Sequence, residues 1–152
     1  MTTNQTLTLE QTERMLSPYV PVRGAAIPPG GWLRAVRESL GRSLRVQARR
    51  LEISQVTLTR SEQAEAEGSI SLAQLRKLAA GLDCELVYAI VPRQPLGQVV
   101  ETQAERIARE EVSGVAHSMG LEDQRPSEDF VDRQIAERKK ALLSGPWSKL
   151  WR

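Results

Sequence analysis

The spacing of apolar and polar positions predicts short helices through the middle of the chain. Over residues 32–40 the apolar side chains recur at helical spacing, and Gly41 follows as a stop signal. A later segment, 72–81, has the same periodicity and begins directly after Ser71, a residue type that caps helices. Together with two helices between them, these segments predict a compact helical DNA-binding domain over residues 32–83.

The two intervening helices have the spacing of a helix-turn-helix. Ser43 and Ser54 stand eleven residues apart, and each hydroxyl can accept a hydrogen bond from a backbone N–H in the first turn of a helix. Ala48 is small enough for the two helices to cross closely. The second helix, about 55–62, is expected to present four side chains outward: Gln55, Val56, Thr59 and Arg60. A helix presented in this way fits the major groove of DNA.

The composition after this domain changes to that of a β-strand. Residues 84–91 are rich in β-branched and aromatic side chains, and Pro92 follows them. A single strand leaves its backbone groups unpaired, so the simplest partner is the same segment of a second copy. The expected fold class is therefore mostly α with one β-strand, and 84–92 is the expected dimerisation segment. The residues assigned to that contact are Leu86, Val87, Tyr88, Ala89 and Ile90.

The two ends of the chain have different expected roles. Residues 1–31 contain a short helical segment, 8–17, followed by prolines and glycines, which indicates an N-terminal arm or linker. Residues 97–152 contain two helical segments, 97–122 and 127–143, and form the expected partner-binding region. Near the C-terminus, two alternatives remain for Trp147 and Trp151: they either dock on the protein itself or anchor it to a partner.

Charge is distributed unevenly along the chain. Between residues 31 and 60 there are seven basic and two acidic side chains, whereas between 101 and 133 there are four basic and nine acidic ones. The net charge of the whole chain is only +2. A basic first half and an acidic second half indicate two different partners, and double-stranded DNA suits the basic one.

The expected DNA contacts fall into two classes. Gln55 can pair bidentately with adenine, and Arg60 can do the same with guanine. Residues at the rim of the motif are better placed for the DNA backbone. These are Arg45, Arg49 and Thr57, and the capping serines Ser43 and Ser54 are also expected to be part of the DNA-binding site.

Several classes of function are disfavoured by what the sequence lacks. It has one cysteine, Cys84, and one histidine, His117, so neither a disulfide framework nor a zinc site is expected. There is no catalytic cluster or glycine-rich phosphate loop, so we expect neither an enzyme nor a cofactor. No apolar stretch reaches about 18 residues, and the N-terminus has no secretion signal. A cytoplasmic protein without a membrane partner is expected.

A family resemblance is carried by three motifs and two shorter elements. They are Trp32-Leu-Arg-Ala-Val-Arg-Glu-Ser-Leu-Gly, Ser54-Gln-Val-Thr, Leu82-Asp-Cys-Glu-Leu-Val-Tyr-Ala-Ile-Val-Pro92, Gln103-Ala and His117-Ser-Met-Gly-Leu-Glu-Asp-Gln124. The domain resembles the Xre, or phage-repressor-type, helix-turn-helix, and residues 30–124 resemble the bacterial mobile mystery protein A family. Two departures stand out. Gln47 replaces a usual leucine, so its helix is expected to pack more loosely or to roll slightly. Glu52 replaces a usual glycine, so the turn is expected to be strained or differently shaped.

The resemblance implies a toxin–antitoxin role. Members of that family are encoded beside a Fic-domain protein, an enzyme class that transfers a nucleotide monophosphate to a hydroxyl. Inhibitory helices of Fic enzymes resemble Ser/Thr-x-x-x-Glu-Gly/Asn, and Ser118, Glu122 and Asp123 match this pattern in part. The resemblance therefore implies an antitoxin that represses its own operon and inhibits its toxin. The alternative for Ser118 and Glu122 is a solvated helix end.

Two functional hypotheses follow from the sequence. The first is a homodimeric DNA-binding repressor that is also the antitoxin of a Fic-type toxin. The second is an inhibitor or adaptor that acts only by protein contact and uses the helix-turn-helix fold as a scaffold. Salt-dependent binding to promoter DNA separates the two.

Overall fold

The computed structural model of the protein describes residues 2–121 and 126–152, and every regular element in these ranges is helical. Seven α-helices and two 3-10 helices follow one another along this part of the chain. In order they are α1 (Thr2–Leu16), a 3-10 helix (Ser17–Val22), α2 (Trp32–Ser39), α3 (Leu44–Leu51), α4 (Gln55–Glu67), α5 (Leu72–Ala80), α6 (Leu96–Leu121), α7 (Glu128–Ser144) and a 3-10 helix (Trp147–Trp151).

The chain divides into two compact units. The inner unit consists of Val22–Ala89 and holds α2 to α5. The outer unit combines the two ends of the chain, Met1–Pro21 and Ile90–Arg152, and holds α1, α6 and α7. The N-terminal segment therefore belongs to the same unit as the C-terminal helices, although the sequence pattern treats it as a separate arm.

The inner unit has a small apolar core. Leu33 of α2, Leu78 of α5 and Leu82 are its buried members. Five half-buried side chains pack against them: Val36, Leu51, Ile53, Ile70 and Leu75. Burial of this apolar surface stabilises the arrangement of the short helices, none of which is long enough to be stable alone in water.

The outer unit is built on an antiparallel pair, α6 and α7. Ala104 and Ala108 of α6 have no solvent exposure, so the two helices approach closely at these small residues. Ion pairs connect α7 to α6: Lys139 to Glu105, and Arg138 to Glu111. The hydrogen bonds of Arg138 hold the pKa of the Glu111 carboxyl below its ordinary value.

The last residues of the chain dock on α1 and α6 of their own unit. The side chain of Gln5 donates to the carbonyl of Gly145 (3.3 Å) and accepts from the backbone N–H of Trp147 (2.8 Å). Leu150 is fully buried, and its carbonyl accepts from the Gln103 side chain at 2.5 Å. Trp151 is 55% exposed, whereas Trp147 is half-buried and its Nε1 donates to the carbonyl of Leu143 (2.9 Å), so Leu150 and Trp147 are the docked residues.

The expected β-strand over 84–91 is wrong. The model contains no strand in the described residues, and this segment continues from the inner unit's last helix without regular structure. Asp83 precedes it in the left-handed conformation (φ 59°). β-branched and aromatic composition favours a strand only where a second strand supplies the hydrogen-bonding ladder, and the described chain offers none.

Two expected helix bounds also change. The helix expected over 8–17 extends from Thr2 to Leu16, and the helix expected over about 55–62 continues to Glu67. Residues 65–67 therefore form the last turn of α4, which is ended by Gly68 in the left-handed conformation (φ 79°). The other helices lie within about two residues of their expected positions.

Candidate nucleic-acid interface

Serine caps determine where the two helices of the motif begin. The hydroxyl of Ser43 accepts a hydrogen bond from the backbone N–H of Val46 (3.2 Å), and that of Ser54 accepts from Thr57 (3.0 Å). Each cap satisfies a backbone donor that has no partner within its helix. The structure confirms both predicted caps and places α3 and α4 as consecutive helices.

The turn between α3 and α4 contains a residue in a strained conformation. Glu52 adopts the left-handed region (φ 57°, ψ 39°) and ends α3, with its backbone N–H directed at the carbonyls of Ala48 and Arg49. A side chain with a Cβ is disfavoured there, which is why glycine suits this position. Ala48 (2% exposed) lies beneath the turn and accepts from the backbone N–H of Ile53.

A buried ion pair holds α4 against α2. Arg37 and Glu62 are each 6% exposed. The guanidinium donates to both carboxylate oxygens (2.5 and 3.2 Å) and, through Nη1, to the carbonyl of Arg42 (2.8 Å). This bidentate geometry constrains how α4 is rotated about its own axis.

A second glutamate of α4 caps α2. The N-cap of α2, Gly31, has no side chain to supply the cap, and Glu65 Oε1 accepts instead from the backbone N–H of Leu33 (2.8 Å). The same oxygen would lie 2.5 Å from a Cβ at Gly31, whose φ is 85°, so only glycine fits here. Sequence analysis missed Glu62 and Glu65 as structural residues. Their spacing from Leu58 along one helical face was the available signal.

Gln47 packs tightly instead of loosening α3. It is 1% exposed, and its Nε2 donates to the carbonyl of Gly81 (2.9 Å) while its Oε1 accepts from Arg42 Nη1 (3.1 Å). Both ends of the amide are therefore satisfied, and α3 is joined to the end of α5. The polar residue at this position replaces apolar packing with a hydrogen-bonded link.

The seven arginines between residues 34 and 60 fall into two groups. Three of them are held by carboxylates: Arg34, Arg37 and Arg42. Four others are exposed and have no ion pair among the described residues: Arg45, Arg49, Arg50 and Arg60. All four lie on α3 and α4, so the motif presents guanidinium groups to solvent; Arg76 of α5 is also exposed and without an ion pair among the described residues. Such a surface attracts a polyanion.

The outward face of α4 consists of the residues expected there. Gln55, Val56, Thr59 and Arg60 are exposed, whereas Leu58 and Glu62 are buried on the opposite face. The hydroxyl of Thr59 donates to the carbonyl of Gln55 (2.8 Å), and the hydroxyls of Thr57 and Ser54 are 2.8 Å apart in a shared hydrogen bond. An α-helix with its side chains is about 10–12 Å across and fits a major groove about 12 Å wide.

The residues assigned to dimerisation have mixed exposure. Val87, Tyr88 and Ile90 are 64%, 58% and 87% exposed, whereas Leu86 and Ala89 are half-buried. The first three are large apolar side chains in contact with solvent. They form no strand, so the ladder that was expected to join two copies is not part of the fold.

Of the residues assigned to toxin inhibition, one can be placed. Ser118 is exposed near the end of α6, and its hydroxyl donates to the carbonyl of Gly114 (3.2 Å). Glu122 and Asp123 lie outside the described residues. The pairing of Ser118 and Glu122 on one helical face stays a prediction.

Two further features of the described residues bear on function. No helix there is both long and apolar enough to cross a bilayer. No group of three or more potential metal-ligating side chains comes together in the same ranges. Comparisons with protein-family models, with curated proteins and with solved structures give no match.

Proposed function

We propose that the protein is a sequence-specific DNA-binding repressor that inserts α4 into the major groove. The observation that carries this proposal is the combination of an exposed helix face with four arginines that have no carboxylate partner in the described chain. Arginines paired within the protein would have little attraction left for phosphates. Here three unpaired arginines lie on α3 and one lies on α4, the helix that is capped by Ser54 and held by Glu62.

Within this interface the side chains have separate roles. Gln55 and Arg60 read base edges, because their amide and guanidinium can each form two hydrogen bonds with one base. Arg45 and Arg49 contact phosphates and position the motif. The protein binds as a homodimer on two half-sites about 34 Å apart, and the exposed Val87 and Tyr88 supply apolar surface for contact between the copies.

The test is a binding series on DNA from the promoter region upstream of the coding sequence. Gln55→Ala and Arg60→Ala should each cost about 1–3 kcal/mol on the preferred sequence and relax specificity at one base position. Arg45→Ala should weaken all sequences to a similar extent. Arg106→Ala, which removes an equivalent charge from α6 in the other unit, is the matched control and should leave binding unchanged. Unaltered affinity in the Gln55→Ala/Arg60→Ala double variant would reject α4 as the reading helix.

The resemblance to mobile mystery protein A extends the proposal to a cytoplasmic antitoxin of a Fic-type toxin, itself without enzymatic activity. In this role Ser118 and Glu122 enter the toxin, where the glutamate pairs with an arginine that otherwise holds the ATP γ-phosphate. Glu122→Gly should then release nucleotide transfer by the co-purified pair without separating the two proteins, and Glu128→Gly on α7 is the control. If the Glu122→Gly complex stays inactive while the toxin alone is active, inhibition acts by another route.

The second candidate is an inhibitor or adaptor that acts only through protein contact. The bidentate Arg37–Glu62 pair and the Glu65 cap favour this candidate, because they hold α2 and α4 together as a scaffold without DNA. The unpaired arginines have no role in that case. A protein that inhibits its partner fully and binds no promoter DNA at any salt concentration would support this candidate.

A further inference from the structure

Thr57 and Thr59 are exposed near the start of α4, and each carries a methyl group beside its hydroxyl. Thr59 uses its hydroxyl donor on the carbonyl of Gln55, and Thr57 shares a hydrogen bond with the Ser54 hydroxyl. These bonds lie within the helix and its own cap. The donor of Thr59 is therefore not available to a base, and the exposed methyl group becomes a main feature of each threonine.

Val56 lies three residues before Thr59, so the two side chains share one face of the helix, and Val56 extends the apolar surface of the Thr59 methyl group. It is 59% exposed and is two residues from Leu58, which is 2% exposed on the buried face. At 3.6 residues per turn, this offset directs Val56 away from the core. A β-branched side chain is also less favourable in a helix than an unbranched one, so neither packing nor helix propensity explains a valine here.

The C5-methyl of thymine is the main apolar group that standard bases display in the major groove, and apolar side chains contact it. We propose that Val56, with the methyl group of Thr59, recognises the C5-methyl group of a pyrimidine. This inference rests on the proposed function, because it requires α4 to occupy the major groove. It adds that one position of the site is read by shape and burial instead of by a hydrogen bond.

Two bases carry this methyl group: thymine and 5-methylcytosine. The same recognition therefore favours thymine over uracil, and 5-methylcytosine over cytosine, at one position in each half-site. Removing one methyl group from an apolar contact should lower the binding constant about three- to tenfold, given the usual contribution of a buried methylene. Gln55, immediately before Val56, can read a neighbouring adenine independently.

The experiment uses the full chain and a duplex obtained by selection from random sequences. Each thymine of the selected duplex is replaced in turn by deoxyuridine, and the dissociation constant is measured at fixed salt. Parent protein should lose about three- to tenfold affinity at one thymine per half-site. At the same position, a guanine-paired 5-methylcytosine should bind more tightly than a guanine-paired cytosine.

The Val56→Ala variant assigns the effect to this side chain. It should bind the thymine duplex more weakly and reduce the thymine-to-uracil ratio to below about twofold, while Val56→Thr, which keeps one methyl group, should preserve part of the ratio. Val22→Ala removes an equally exposed valine outside the helix-turn-helix and should leave the ratio unchanged.

The outcomes distinguish failure of the methyl contact from failure of the proposed DNA-binding function. Specific, tight binding in which no thymine can be distinguished from uracil would overturn the methyl contact and leave the repressor proposal intact. A full thymine-to-uracil ratio in Val56→Ala would do the same, because another side chain would then make the contact. If no duplex is selected above random DNA, both proposals fail together.

Discussion

Replacing Glu62 by glutamine tests how α4 is held in place. The substitution keeps the shape of the side chain but removes the buried carboxylate from the Arg37 guanidinium, 6% exposed, and leaves it only the exposed Glu38, whose Oε1 is 3.8 Å from Nη2. The hydrogen bond from Arg37 to the Arg42 carbonyl (2.8 Å) remains and compensates only part of the charge. Breaking a buried pair by removing one partner typically costs about 3–5 kcal/mol. Since domains have net stabilities of about 5–15 kcal/mol, this is a large share.

The assay is native-state hydrogen exchange of the backbone amides in α2 and α4. It reports on the inner unit alone, whereas a global unfolding curve combines two units that need not unfold together. The slowest amides of both helices should lose protection together in Glu62→Gln. Glu110→Gln makes the same chemical change in an exposed pair with Arg106 that does not touch Arg37, and it should leave protection of α2 and α4 unchanged.

The double variant Arg37→Met/Glu62→Leu separates the charge from the packing. Replacing both members with apolar side chains of similar size removes the unpaired charge, so most of the lost stability should return. Some loss should remain because the Arg42 carbonyl no longer receives its donor. A Glu62→Gln effect below about 1 kcal/mol, or a double variant as unstable as the single one, would refute this account of the pair.

The structure also predicts whether three further substitutions raise or lower stability. Glu52→Gly should stabilise the inner unit by roughly 0.5–1 kcal/mol, because glycine adopts the left-handed backbone without strain. Part of the gain is lost to the greater freedom of glycine in the unfolded chain. Slower amide exchange in α3 supports this prediction, and unchanged or faster exchange contradicts it. Gln47→Leu should cost about 1–3 kcal/mol because the carbonyl of Gly81 loses its main donor, so a gain in protection would be inconsistent with that link. The pKa of Glu111 lies below its ordinary 4.5 because of its hydrogen bonds to Arg138. The ionised Glu111 therefore stabilises the folded state at pH values above the pKa of the unfolded chain, about 4.5. This stabilisation is lost as the pH falls from there through the lower pKa of the folded state. Glu111→Gln should flatten the acid dependence of α6 amide exchange, and an identical pH profile would exclude this pair as its source.

Local signals in the sequence were sufficient for most helices of the inner unit. Ser43, Ser54 and Ser71 each cap a helix where the spacing predicts one, because a cap depends only on residues in the first helical turn. The end of α4 was placed too early because Glu65 is a polar residue with a tertiary role. Its carboxylate caps α2 from a distance of 32 residues, and no local pattern reports such a contact.

The β-strand and the N-terminal helix show the same limitation at longer range. Residues 84–91 have strand composition, but a strand also needs a partner, which composition does not supply. The helix from Thr2 contains Gln5, whose side chain bonds the backbone of Trp147, 142 residues away. For the candidate site, helical periodicity predicted which side chains of α4 are exposed. It did not predict that the hydroxyl of Thr59 bonds its own helix.

The dependence of DNA binding on salt tests the central claim most directly. Promoter DNA is titrated with the full chain between about 50 and 200 mM salt, and log Kobs is plotted against log salt concentration. Contacts to phosphates should give a straight line with a negative slope of about 0.9 for each phosphate neutralised, and Arg45→Ala and Arg49→Ala should each reduce that slope by about 1. Promoter binding that is absent, or that has the same slope in both arginine variants as in the parent protein, would contradict a nucleic-acid interface on α3 and α4.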